Sequence, residues 1–183
     1  MQIAKALAVG LLLMMLAACA SVSVKTDFDA AVDFSKLKSY AWDNHQPSPD
    51  DALAKNPLVR KRVKQAIDRS LEAKGFDLTT QAEADFVVVT HAGVKERMQI
   101  TNWGRYGWYD PWWGPYGGSV DVSYYQYGTL VIDIVDQRKK ELIWRGLGTG
   151  IVRETETPEQ SQEIIDETVD KILADFPPVA KTQ

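Results

Sequence analysis

A chain of 183 residues that is 45% hydrophobic carries enough apolar material for one compact domain with its own core. Its net charge of −4 and pI near 5.2 argue against non-specific nucleic-acid binding, which needs a basic face to displace counterions. The only cysteine is Cys19, so the mature domain can form no internal disulfide, thiolate zinc site or redox pair.

The amino terminus reads as an export signal. Met1–Lys5 is the charged n-region, Ala6–Leu16 is apolar throughout, and small residues follow. That apolar run falls well short of the ~20 residues a transmembrane helix needs. Leu16-Ala17-Ala18-Cys19 resembles the bacterial lipobox, in which the thiol is diacylated, the signal is cut before it, and the new amino terminus is acylated. Ordinary cleavage after Ala20 is the competing reading, since Ala18-Cys19-Ala20 also fits a small-x-small site. If Cys19 is lipidated, alanine rather than aspartate after it points, by the Gram-negative sorting rule, to the periplasmic face of the outer membrane. The expected organisation is a removed signal peptide over 1–18 and a lipidated tether over 19–21. A single domain over 22–176 and a tail over 177–183 follow.

Alternation of Val22 and Val24 with polar residues predicts a strand over Ser21–Thr26. Asp27–Ser35 reads as a turn-rich connection, Leu37–Trp42 as a second strand, and the proline- and aspartate-bearing Asn44–Lys55 as a surface loop. A helix follows, capped by Asn56 with Pro57 at its first position, where a missing N–H costs nothing. Its apolar stripe is Val59, Val63, Ala66, Ile67 and Leu71. The Arg60–Lys64 cluster reads as a solvated face, with anionic lipid headgroups as the alternative contact. Gly75 is placed to end the helix in a left-handed conformation, with Phe76 folding back on Leu71.

Asp85–Lys95 holds Phe86, Val87, Val88 and Val89, apolar on both faces, and so predicts a central strand. His91 and His45 have no visible ligand or triad partners and read as structural or surface histidines. Glu96–Asn102 is a candidate further strand. Trp103–Gly118 packs Trp103, Tyr106, Trp108, Tyr109, Trp112, Trp113 and Tyr116 among five glycines and two prolines, a density that predicts a loop. Ser119–Tyr125 resumes alternation, with Gly128 a candidate bulge.

Tyr127–Gly146 reads as a β-hairpin. Leu130, Ile132 and Ile134 share one face of Thr129–Val135, and Leu142 and Trp144 share a face of the return strand Glu141–Arg145. Matching apolar residues sets Ile134 opposite Leu142 and Ile132 opposite Trp144, with Asp133 diagonal to Arg145 as an ion pair. Leu147–Val152 prolongs the return strand. Thr157-Pro158-Glu159-Gln160 is a capping box, and Ile165, Val169, Ile172, Leu173 and Phe176 form the stripe of a last helix stopped by Pro177-Pro178. These elements predict a two-layer α+β fold, an antiparallel β-sheet with two helices packed on one face.

Few chemical motifs stand up. Gly146-Leu147-Gly148-Thr149-Gly150 lacks the spacing of a dinucleotide loop, and no helix begins before Thr157 to receive a pyrophosphate. There is no nucleophile elbow, no P-loop lysine and no metal-spaced cluster, so no catalytic residue, metal or cofactor is predicted. The aromatic loop over 103–118 is the one unusual surface candidate. Its indoles are suited to sugar rings, a lipid–water interface or a protein partner; equally, they could cover their own sheet.

Several segments together resemble a family of bacterial lipoproteins (domain of unknown function 4136 type). They are Thr26-Asp27-Phe28-Asp29, Asp33-Phe34-Ser35, Ser39-Tyr40-Ala41-Trp42, Lys74-Gly75-Phe76 and Ala84-Asp85-Phe86. The Gly/Trp-rich loop, Gly128-Thr129-Leu130-Val131-Ile132-Asp133 and Leu142-Ile143-Trp144-Arg145-Gly146 complete the set. The resemblance implies an α+β fold and an envelope location, and brings no catalytic residue or cofactor. The leading expectation is an outer-membrane-anchored, non-enzymatic module that binds an envelope partner. A glycan or lipid binder using the aromatic loop is the alternative, and an envelope hydrolase the third reading.

Overall fold

The computed structural model describes residues 22–102, 120–152 and 157–179. Cys19, Ala20 and the whole aromatic loop lie outside them. Six strands form one sheet: β1 (Ser23–Phe28), β2 (Ser39–Trp42), β3 (Asp77–Leu78), β4 (Phe86–Asn102), β5 (Val120–Asp136) and β6 (Leu142–Ile151). Their order is β1-β6-β5-β4-β2-β3. Three helices, α1 (Ala52–Lys55), α2 (Pro57–Ala73) and α3 (Pro158–Leu173), complete the described elements beside a single 3₁₀ turn at Phe34–Lys36.

The α+β class holds, but the sheet is mixed rather than purely antiparallel. Between β2 and β4 the chain crosses over through α1 and α2 and re-enters from the same end. β2 therefore runs parallel to β4, with Tyr40 beside Phe86, and β3 runs parallel to β2. The stretch predicted as loop over Asn44–Lys55 ends in helix α1, whose N-cap Asp51 accepts a hydrogen bond from Leu53 N at 2.8 Å. Glu96–Asn102 is no separate strand but the continuation of β4, which with β5 occupies the sheet centre as its apolar sequence predicts.

The helix ends follow their local chemistry. Asn56 Oδ1 accepts from Val59 N, and Pro57 takes the first turn of α2. At the other end Phe76 N donates to Leu71 O and Gly75 N to Glu72 O, with Gly75 at φ 88°, a Schellman ending. Thr157 and Gln160 form the reciprocal capping box of α3. Arg62 reaches Ser161, and seven residues on, Arg69 pairs with Asp166, so α2 and α3 run in the same direction. Their buried faces meet Phe86, Val88, Ile132, Ile134 and Trp144 in one core with Tyr40 and Phe176.

The hairpin register differs from the expected one. Ile134 pairs with Trp144 and Ile132 with Gly146, while Val135 pairs with Leu142 across a register shift that leaves Ile143 as the extra residue of a bulge. The bulge accounts for one residue of that difference, since its extra residue moves every later pair along β6 by one. A β-carbon on Gly146 would lie 2.3 Å from Trp144 Cη2, so the ring lies over a residue with no side chain. The bulge is therefore at Ile143 and not at Gly128, which pairs in regular register with Val94 and Gly150. Asp133 consequently sits directly opposite Arg145 rather than diagonal to it.

A candidate apolar cleft

Alternation sends Thr90, Ala92 and Val94 of β4, Leu130 and Gly128 of β5, and Gly148, Gly150 and Val152 at the β6 end towards the helix layer. Three of these are glycines and one is alanine; Val152 lies over Gly128, and Ile172 and Val22 lie over Gly148. Above the sheet the first turns of α2 and α3 spread a roof of Val59, Val63, Ile164 and Ile165, with Leu53 of α1 at one side. Between roof and floor lies a cleft of ≈ 490 Å³, within the ~300–1,000 Å³ typical of small-molecule sites. Val22, at the start of the described chain, forms part of its wall.

A buried aspartate holds the α1 side in place. β2 leaves β4 after Trp42↔Val88, which exposes the outer edge of β4. Asp51, only 8% exposed, caps that edge as well as α1: its carboxylate accepts from Ala92 N at 3.2 and 3.3 Å and lies 3.4 Å from His91 Nδ1. The half-exposed His91 is thus a neighbour of the carboxylate that caps α1. The polar side chains at the cleft are Asn56, Gln126, Thr129, Ser161, Thr168 and Glu167. Glu167 is tied to Lys171 at 2.7 Å, and the Thr168 hydroxyl donates to Ile164 O at 2.8 Å.

Elsewhere the charged groups serve the scaffold. Asp133, 6% exposed, takes two hydrogen bonds of 2.7 Å from Arg145 on the sheet face away from the helices. Asp68 Oδ1 accepts from Tyr40 Oη at 2.9 Å and Trp42 Nε1 at 2.8 Å, pinning α2 to β2, and Lys64 Nζ lies 4.2 Å over the Trp42 ring. Burial pulls the Lys64 ammonium below its usual range, partly opposed by Asp68. Among the described residues no three His, Cys, Asp or Glu gather as a metal site, and no helix is long and apolar enough to cross a membrane.

The predicted site residues fall outside this picture. Cys19 and the seven aromatics Trp103, Tyr106, Trp108, Tyr109, Trp112, Trp113 and Tyr116 lie beyond the described residues. What is described is their approach: β4 and β5 stay paired from Lys95↔Tyr127 to Asn102↔Val120 after β6 has ended. The cleft was missed at the sequence level. Its available signal is the spacing Gly146, Gly148, Gly150, which strips one face of a strand and leaves room for whatever packs against it.

The model of the family described as domain of unknown function (DUF4136) matches residues 24–178. The chain belongs to this family. No curated protein matches it. Among solved structures, a PDZ domain protein from Parabacteroides distasonis is similar at a TM-score of 0.56 and 15% identity, over 87% of this chain and 36% of the other. This DUF4136 chain therefore spans about a third of that protein, and the likeness is one of fold. A PelC dodecamer from Paraburkholderia phytofirmans is similar at 0.46 and 13% identity, over 84% of this chain and 96% of that one.

Proposed function

We propose that this DUF4136 protein is a lipid-anchored module of the periplasmic face of the outer membrane, acting by binding rather than by catalysis, with the apolar cleft as its binding surface. The observation that carries this reading is the cleft itself, with its aliphatic walls and scattered polar groups. Apolar enclosure contributes affinity by removing ligand surface from water, and a few fixed polar groups orient what enters. The lipobox-like Leu16-Ala17-Ala18-Cys19 supports the anchor and Ala20 supports the outer membrane. One acyl chain holds a protein only marginally, whereas the two or three of a mature lipoprotein hold it durably. Replacing Cys19 with Ser should abolish incorporation of a palmitate analogue and release the protein from the membrane pellet. A Cys19→Ser protein that stays in the pellet refutes the anchor.

A second reading places glycan or lipid contact on the aromatic segment. It is supported by the paired extension of β4 and β5, whose seven pairs past Lys95↔Tyr127 reach ~24 Å beyond the body of the sheet. If Trp112→Ala and Trp113→Ala leave the fluorescence response of the wild type to envelope glycans and lipids unchanged, this reading loses its site.

A further inference from the structure

We propose that the apolar cleft shelters an acyl chain carried on the protein's own Cys19. This rests on the reading of Cys19 as lipidated and names the occupant of the cleft described above. Three observations lead to it. Val22 stands in the cleft wall, its Cγ1 3.4 Å from where a β-carbon on Gly148 would be. Cys19 precedes Val22 by three residues, which at ~3.5 Å each keeps its Cα within ~11 Å of the cleft. The lining chemistry then selects the ligand.

Leu53, Val59, Leu130, Val152, Ile164 and Ile165 offer aliphatic contacts suited to methylene groups. Among the described lining residues there is no aromatic ring, so the stacking surface a sugar uses is missing. There is also no Lys or Arg, and the one charged side chain is Glu167. A free fatty acid would bring a carboxylate into a lining with no cation of its own, since the neighbouring Lys171 is engaged by Glu167 and Arg62 by Ser161. A chain joined to Cys19 through an ester or amide is neutral at that end and meets no such cost.

The same physics sets when the cleft is filled. Off the membrane, the alternative for an acyl chain is water, and the cleft wins. At a bilayer, hydrocarbon as apolar as the cleft competes for the chain, so insertion empties the cleft and frees it for another apolar group. The cleft then acts as a transit shelter whose occupancy reports whether the protein is inserted.

The full-length protein is produced in cells fed a diazirine-bearing palmitate analogue, purified, freed of detergent, irradiated and mapped by peptide mass spectrometry. Acyl cross-links concentrated on the peptides bearing Val59, Leu130 and Ile164 support the proposal, as does their loss in a correctly acylated Leu130→Trp variant. Cross-links spread over the surface, on a protein that carries the analogue at Cys19, overturn the shelter and leave the anchor standing. Absence of analogue from Cys19 overturns the anchor reading and the shelter with it. The wild-type map decides the matter even if Leu130→Trp does not fold.

Discussion

Ile172 on α3 occupies the space that a side chain on Gly146 of β6 would need. A β-carbon there would sit 2.5 Å from Ile172 Cγ2 and 2.3 Å from Trp144 Cη2, and both neighbours are buried. Neither can move aside, because each is enclosed by the core. Gly146→Ala should destabilise the domain by about 1–3 kcal/mol through overpacking. Urea titration checks this: the midpoint falls while the slope stays constant. An unchanged midpoint would show that α3 is free to shift.

The Asp133–Arg145 pair leads to a second test. Asp133 is buried and Arg145 half-exposed, and the guanidinium is raised further above its ordinary value by its hydrogen bonds to the carboxylate and then by attraction to its charge. Arg145→Ala strands a carboxylate on the sheet and should cost about 1–3 kcal/mol, less than a fully buried pair because water reaches the site. Adding Asp133→Ala should recover part of that loss, measured as the coupling in a double-mutant cycle. Strict additivity would mean that the pair contributes nothing.

Alkaline pH should weaken the fold through Tyr40. Burial first, and its hydrogen bond to Asp68 second, push the Tyr40 hydroxyl far above the ordinary tyrosine value. In the unfolded chain it deprotonates near pH ~10. Below that pH the contribution is complete. Above it the native state holds one more proton than the unfolded state, so stability falls by ~1.4 kcal/mol per pH unit until the folded value is passed. Tyr40→Phe should remove that component of the slope in stability measured from about pH 9 to about pH 11. A slope identical to wild type would assign the alkaline loss elsewhere.

Asp85 should act at the acid end. Burial pushes its carboxyl up, but Lys38 N at 2.8 Å, Ser39 N at 3.0 Å, the Ser39 hydroxyl at 3.2 Å and the nearby Arg138 charge outweigh it and hold the carboxyl below its usual value. Its stabilisation is therefore complete above ~pH 4 and is lost as pH falls through the lower folded value. Asp85→Asn should cost about 1 kcal/mol at neutral pH and flatten the acid limb of the stability profile. Equal acid sensitivity in the two proteins would refute this role.

Much of the scaffold is legible in the chain. Asn56-Pro57, Gly75-Phe76 and Thr157–Gln160 mark helix ends where the structure places them, because each signal is a bond between groups at most a few residues apart. The pairing of Asp133 with Arg145 is also legible, though not its geometry, since facing strands bring opposite charges together in more than one register. The cleft is not. No single residue of it is unusual: Val59, Leu130 and Ile165 read as ordinary core positions until the glycines of β6 lower the floor beneath them.

The sequence by itself determined the apolar faces of β4, β5 and the two long helices, where α2 begins and ends, where α3 begins, and that the domain is α+β, but not α1 or the face of Leu142. Those properties depend on alternation, helical period and capping, all written within one element. Only the tertiary structure decided that β2 runs parallel to β4, that Trp144 lies over Gly146 and pairs with Ile134, and that α2 and α3 leave an open cleft beside Val22. These depend on how side-chain volumes from distant parts of the chain fit one another. Apolar matching admits several registers, and close packing selects one of them.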